Sequence, residues 1–249
     1  MTETTNQTTM DSWDDTPLYD PRATWPEGKS SHPLRIAEVS TKYTDPKDGA
    51  ATGWEIKKVK LEVANGELAG KPLFMDFLVT PSKDKDGTIM AKSAKIEKYQ
   101  ADINEDTGTN FTFEEAEAKA VAGVVGFAKG ERQRWLRLLN AAGFIREQDV
   151  RAGDKNQRRI DNGVMGVVKM RTNSEGQHEI IGDDGNSTGT VFADDMLVSR
   201  LVMGETAPEE YQTVNKETGE VETRMGRKVN KVWDVDPAEV GDLAESTPF

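Results

Sequence analysis

The chain has no cysteine and only two histidines in 249 residues. The first absence excludes disulfides, thiolate metal sites and cysteine nucleophiles. The second leaves His32 and His178 as the only imidazoles, each in a polar loop or turn context without the convergent partners that a triad or metal site needs. No glycine-rich phosphate loop occurs, so nucleotide hydrolysis has no anchor. No stretch approaches the ~20 apolar residues of a membrane span, and Met1 to Met10 is Thr- and Asn-rich without a basic segment leading into an apolar run. Asp84-Lys85-Asp86-Gly87 opens like a calcium loop but lacks the closing Glu, and reads as a turn. Asp183, Asp184, Asp194 and Asp195 are the remaining candidates for a two-metal nuclease site, with no motif around them. The expectation is a cytoplasmic, non-membrane protein without enzymatic activity, metal or cofactor.

What is present is charge, unevenly spread. The net charge of −12 argues at first against nucleic acid, whose binders carry a basic footprint. Residues 1–28 are net −5 and residues 233–249 are again net −5, which leaves only −2 for everything between. Residues 128–171 hold eleven Lys and Arg against five Asp and Glu, a net +6, and 223–232 add four bases with no acid. The acidity belongs to the two ends, and the basic charge is clustered.

Periodicity divides the chain into three parts. Residues 1–31 scatter Trp13, Tyr19 and Trp25 among Thr, Asp, Pro and Gly with no repeat, and read as a disordered, extended arm. Residues 32–233 carry strand patterns at 34–39, 54–63 and 73–79, the last two joined through Asn65-Gly66 and Gly70. A helical segment follows over 112–143, opened by the capping box Thr112-Phe113-Glu114-Glu115 and expected to break at Gly130 into two helices. Residues 82–110 are expected to form a long loop or hairpin and 151–159 a basic loop. Strand character returns at 163–171 and 178–181, and a further hairpin begins near Glu210 and closes at 229–233. Residues 234–249 lack the apolar surface to order themselves and read as a disordered acidic tail. The fold class expected is mainly β with inserted α: an OB-like barrel carrying a central helical segment.

Single-strand binding needs cations to follow phosphates and rings on which bases stack. In 54–63 one parity collects Val59, Leu61 and Val63, and the other collects Trp54, Lys58 and Lys60. Phe74 falls on the less apolar parity of its strand, Tyr99 lies in a Lys-rich segment with Lys92 and Lys95, and Lys169 and Arg171 share one parity. Arg158 and Arg159 sit in a Gly- and Asp-flanked stretch able to clamp phosphate. The alternative for each ring is ordinary core burial and for each cation a solvated face. Trp135, spaced with Leu138 and Leu139, is expected in the core.

The tail, with Asp242 and Glu245 leading to Pro248-Phe249, places an aromatic tip on a like-charged tether, suited to an apolar pocket rimmed by Arg or Lys on a partner. It resembles the C-terminal tip of bacterial and phage single-stranded-DNA-binding proteins, with Ser246-Thr247 replacing more acidic and aliphatic residues. In addition Glu67-Leu68-Ala69-Gly70-Lys71-Pro72-Leu73-Phe74, the stretch Trp135 to Gly143 and Lys228-Val229-Asn230-Lys231-Val232 together resemble a phage family of small OB-fold proteins associated with single-stranded DNA beside replication and recombination genes. The resemblance spans about 34–233. It implies an OB barrel carrying a helix, no enzymatic activity and a viral replication or recombination setting, with the cytoplasm of a bacterial host cell as the location of a phage-encoded protein. The implied partners are single-stranded DNA, a polymerase, helicase, nuclease or annealing protein at the tail, and a second copy in a homo-oligomer. Two alternatives use the same residues: a single-strand annealing recombinase, and a structural or adaptor protein of a phage particle.

Overall fold

The computed structural model describes residues 24–107, 112–161, 166–214 and 219–235. The chain opens with three antiparallel strands, β1 (Ser30–Tyr43), β2 (Glu55–Val63) and β3 (Pro72–Thr80). Alternation decides their faces. Val59, Leu61 and Val63 on β2 and Leu73, Met75, Phe77 and Val79 on β3 are buried, while Phe74 and Asp76 between them are exposed. Helix α1 (Ser93–Thr107) and helix α2 (Phe113–Ala141) follow. The chain then forms β4 (Phe144–Arg146), α3 (Lys155–Asp161), β5 (Val168–Thr172), β6 (His178–Ile181) and β7 (Ser187–Val191). It ends in two long strands, β8 (Leu201–Val214) and β9 (Val221–Trp233).

Two sheets result: β3-β2-β1-β8-β9, and a smaller β4-β5-β6-β7 placed between α2 and β8 in the chain. Among the described residues strand exceeds helix, so the mainly β class with a central helix holds. The barrel is not closed. Strands β3 and β9 are the edges of the larger sheet and approach each other, but no ladder between them appears among the described residues. The sheet curls without sealing. The second sheet adds two strands, β4 and β7, that lie outside every expected one; β7 is exposed along its whole length and offers no apolar alternation to read.

Three expected segments differ. Gly130 does not break the helix: α2 runs 29 residues through it. A buried stripe of Ala116, Ala120, Val124, Ala128, Glu131, Trp135 and Leu138 keeps its period across the glycine, and the Thr112–Glu115 capping box secures the start. That packing outweighs the ~1 kcal/mol that glycine costs inside a helix. Most of 82–110 is not a loop. After a turn centred on Asp84, whose carboxylate accepts from the Asp86 and Thr88 amides, the chain enters α1, which buries Ile96 against Ala116, Ala120 and Val124 of α2. Residues 155–161 likewise wind into α3 instead of a loop.

The main core lies between the curled sheet and α2. Phe77 meets Trp135 edge-on with ring centroids 5.4 Å apart, a contact worth about 0.5–1.5 kcal/mol beyond simple burial. Arg132 fastens the helix to the sheet by donating from Nε to the Val79 carbonyl at 2.6 Å. Leu34 of β1 packs so closely on Gly204 of β8 that a Cβ there would strike Leu34 Cδ1. Helix α2 therefore occupies the inner side of the sheet, and the outer face of β1, β2 and β3 is left to solvent.

Candidate nucleic-acid interface

That outer face holds the densest set of expected residues. Lys60 lies opposite Phe74 across the β2/β3 ladder, Lys58 lies opposite Asp76, and Ser40 and Glu38 of β1 flank the two lysines on the other side. With Lys42 they line a shallow groove of about 530 Å³. Phe74 is 66% exposed, an unusual position for a phenyl ring on a sheet whose opposite face is fully packed.

Each groove lysine has a different setting. Lys58 pairs with Asp76 at 3.2 Å and Lys60 with Glu62 at 2.6 Å. The Glu62 hydrogen bond and charge raise the Lys60 pKa, so its ammonium stays charged. Both pairs are open to water, and such pairs contribute only about 0–1 kcal/mol, so a phosphate can compete for the ammonium groups. Lys42 has no ion-pair partner among the described residues. The groove lining thus carries three lysines against two acids, Glu38 and Asp76, with Glu62 beside Lys60.

Phe74 also borders a second groove, of about 710 Å³, between the start of β3 and the β8–β9 hairpin. Trp25, Tyr211, Met225 and Arg227 line it. Past Thr206, where pairing with β1 stops, the hairpin continues as a two-stranded arm to Val214 and Val221. Tyr211 lies over Gly226, where an added Cβ would come within 2.8 Å of Tyr211 Cε1. Arg227 anchors the other wall. Its guanidinium donates to the carbonyls of Pro26 and Gly28, each at 2.5 Å, and to Ser30 Oγ at 2.7 Å and Thr206 Oγ1 at 3.0 Å. It also covers the Trp25 ring at 5.1 Å, with Lys71 Nζ 5.9 Å from the same ring. Periodicity did not single out Tyr211, Met225 or Arg227. The available signal was Gly226 inside a strand pattern, which marks a close approach by a neighbour.

The other expected residues fall elsewhere. Trp54 does not share the Lys58 face. Strand β2 begins at Glu55 with a register shift between Glu55 and Ile56, so the parity does not carry back. Trp54 instead packs on the helices, edge-on to Phe127 at 6.0 Å. Lys92, Lys95 and Tyr99 belong to the helical layer, where Lys95 Nζ sits 5.9 Å from the Tyr99 ring and Tyr99 packs against the Ile96 cluster. Arg159 is half-buried. It donates to Asn140 O at 2.9 Å and Asn140 Oδ1 at 3.2 Å and faces Asp234, which ties the end of β9 to α2. Arg158 beside it is exposed.

Lys169 and Arg171 do share a face of β5, but acids share it too. Arg171 binds Glu147 through two hydrogen bonds of 2.6 and 2.9 Å, which hold the Glu147 carboxyl below its usual range. Asp184 is engaged by Asn186, and Asp194 by Lys57 at 2.7 Å. Among the described residues no three His, Cys, Asp or Glu side chains come together as a metal site. No described helix is long and apolar enough to cross a membrane. Asp242, Glu245, Pro248 and Phe249 lie outside the described residues, as does the arm through residue 23. Compared with known proteins, the chain matches no family model, no curated protein and no solved structure.

Proposed function

We propose that the protein binds and protects single-stranded DNA, without strong sequence preference, during phage replication or recombination. The observation that carries this reading is Phe74, exposed on the outer sheet face with Lys60 opposite and Lys58 and Lys42 in the same groove. A ring flanked by ammonium groups matches what a single strand requires: one surface for base stacking and cations spaced along the phosphates.

The architecture supports an OB-like assignment. Five antiparallel strands curl until their edges β3 and β9 approach each other, and the helical segment follows the third strand. OB folds are five-stranded, partly open barrels that hold oligonucleotides on the face of their second and third strands. Here that face carries Lys58, Lys60 and Phe74. Residues 236–249, with Asp242 and Glu245 before Pro248 and Phe249, serve in this reading as the tether for replication or recombination proteins.

Tryptophan-fluorescence titration with single- and double-stranded oligonucleotides over a range of salt tests the proposal. Trp25 borders Phe74's second groove, so occupancy there changes its emission. The expected result is a response to single strands, with the logarithm of the affinity falling linearly with log salt. No response to either nucleic acid overturns it.

A further inference from the structure

We infer that the cleft between Trp25, Phe74 and Tyr211 holds one unpaired base and favours a base bearing an exocyclic amine over thymine. The inference rests on the single-strand reading above. Phe74 is common to the lysine groove and the cleft, so a strand whose phosphates follow Lys58 and Lys60 passes directly over the cleft mouth.

The two grooves differ in what they offer. The first supplies three ammonium groups against two carboxylates, Glu38 and Asp76. The second supplies rings and oxygen acceptors. Its cation, Arg227, already spends hydrogen bonds on Pro26, Gly28, Ser30 and Thr206 and lays its face on Trp25, so it is poorly placed to take a phosphate. The remaining charged side chains lining the cleft are Glu27 and Glu209. Glu27 has no ion-pair partner among the described residues, and Glu209 touches Lys228 through one oxygen at 3.4 Å. A phosphate is repelled by these carboxylates. A base enters on its apolar faces and is read at its edge.

That edge reading has a direction. Carboxylates accept hydrogen bonds, and the pairing of Glu with the N4 amine of cytosine is an established base contact. Thymine turns two carbonyl oxygens toward the same acceptors around a single N–H and meets repulsion instead. Arg227 is a positioning residue: by holding Trp25 to the backbone of Pro26 and Gly28 it fixes the wall that carries Glu27.

The test compares oligo(dC) and oligo(dT) of equal length binding to the full chain by fluorescence anisotropy. The wild type is expected to bind oligo(dC) several-fold more tightly. The double variant Glu27→Ala/Glu209→Ala brings the dC/dT ratio to about one, whereas Lys58→Ala/Lys60→Ala weakens both oligonucleotides and preserves the ratio. Tyr211→Ala weakens both, because stacking does not distinguish bases, and its circular dichroism reports whether the arm remains folded. A wild type without the dC preference, or a Glu double variant that keeps it, overturns the inference and leaves single-strand binding standing. Absence of binding to any single strand removes the function itself.

Discussion

Phe74 and Lys60 face each other on neighbouring antiparallel strands, both on the side of the sheet that α2 does not cover. Directly opposite residues have Cβ atoms about 4.5–5.5 Å apart, so the two side chains leave the sheet side by side on the same surface. Their inward neighbours, Leu61 and Leu73, are buried and also opposite. A core pair therefore pins the register that presents the surface pair.

The first prediction follows from that separation of faces. Phe74→Ala removes a ring that is 66% exposed, so thermal unfolding changes little. Single-strand affinity drops by about 1–3 kcal/mol, the usual value of one base–aromatic stack. Anisotropy and a melting curve on the same sample separate the two effects; equal affinity for variant and wild type removes Phe74 from the interface.

Lysine variants carry a different signature. Replacing Lys58 and Lys60 by Ala removes two phosphate contacts, and each single-strand contact contributes about 0.7 to the log–log salt slope. The slope therefore falls by about 1.4, with the largest loss of affinity at low salt. Arg171→Ala is the control: it belongs to the smaller sheet and does not line the groove of Lys58, Lys60 and Phe74, and its removal leaves the slope unchanged.

How much of this was legible in the sequence depends on the range over which each pattern acts. The period of two in 57–63 and 73–79 assigned Lys58, Lys60 and Phe74 to the outer face, because a strand's parity is local and the core enforces it. The same rule misplaced Trp54 because a register shift at Glu55/Ile56 is invisible without the partner strand. Gly130 looked like a stop, yet the stripe from Ala116 to Leu138 is set by what α2 packs against, and that tertiary contact overrode propensity. Arg159 reads as a surface cation because its partners, Asn140 by hydrogen bonds and Asp234 by charge, lie 19 residues before it and far after it in the chain. Tyr211 and Arg227 escaped for the same reason: the Trp25 side of their cleft comes from the opposite end of the described chain.

Arg159→Ala is expected to cost stability and not affinity. Removing the guanidinium takes two hydrogen bonds from Asn140, whose carbonyl keeps the Gly143 amide, and a 3.7 Å ion pair from Asp234, which keeps Lys155 at 2.7 Å, so the expected loss is about 1 kcal/mol. Urea unfolding registers the loss. A variant of unchanged stability that binds single strands less tightly assigns Arg159 to the nucleic acid instead.

The close approach of β1 and β8 gives a steric prediction. A methyl group at Gly204 collides with Leu34 Cδ1, inside a core where Leu34 is fully buried. Overpacking of this kind costs about 1–3 kcal/mol, so Gly204→Ala lowers the urea midpoint. The double variant Gly204→Ala/Leu34→Val, which withdraws the colliding atom, recovers part of that loss. A double variant whose losses simply add shows that the two sites do not touch in solution.

The two histidines set the pH response. Burial, then the nearby Arg227, holds His32 below its ordinary 6.5, and burial, then Arg146, does the same for His178. Each therefore binds its proton more readily in the unfolded chain, and stability falls as pH drops below about 6.5. Above that value the contribution is complete. Glu147, whose carboxyl is lowered by its hydrogen bond to Arg171, titrates only beneath its ordinary 4.5 and leaves the interval between to the imidazoles. Urea unfolding at about pH 7.5 and about pH 5.5 measures the effect, with the window set by the ordinary histidine value. Wild type loses stability between the two conditions, and His32→Asn/His178→Asn loses less. If the double variant loses just as much, other groups govern the acid response and the burial of His32 and His178 is without consequence for it.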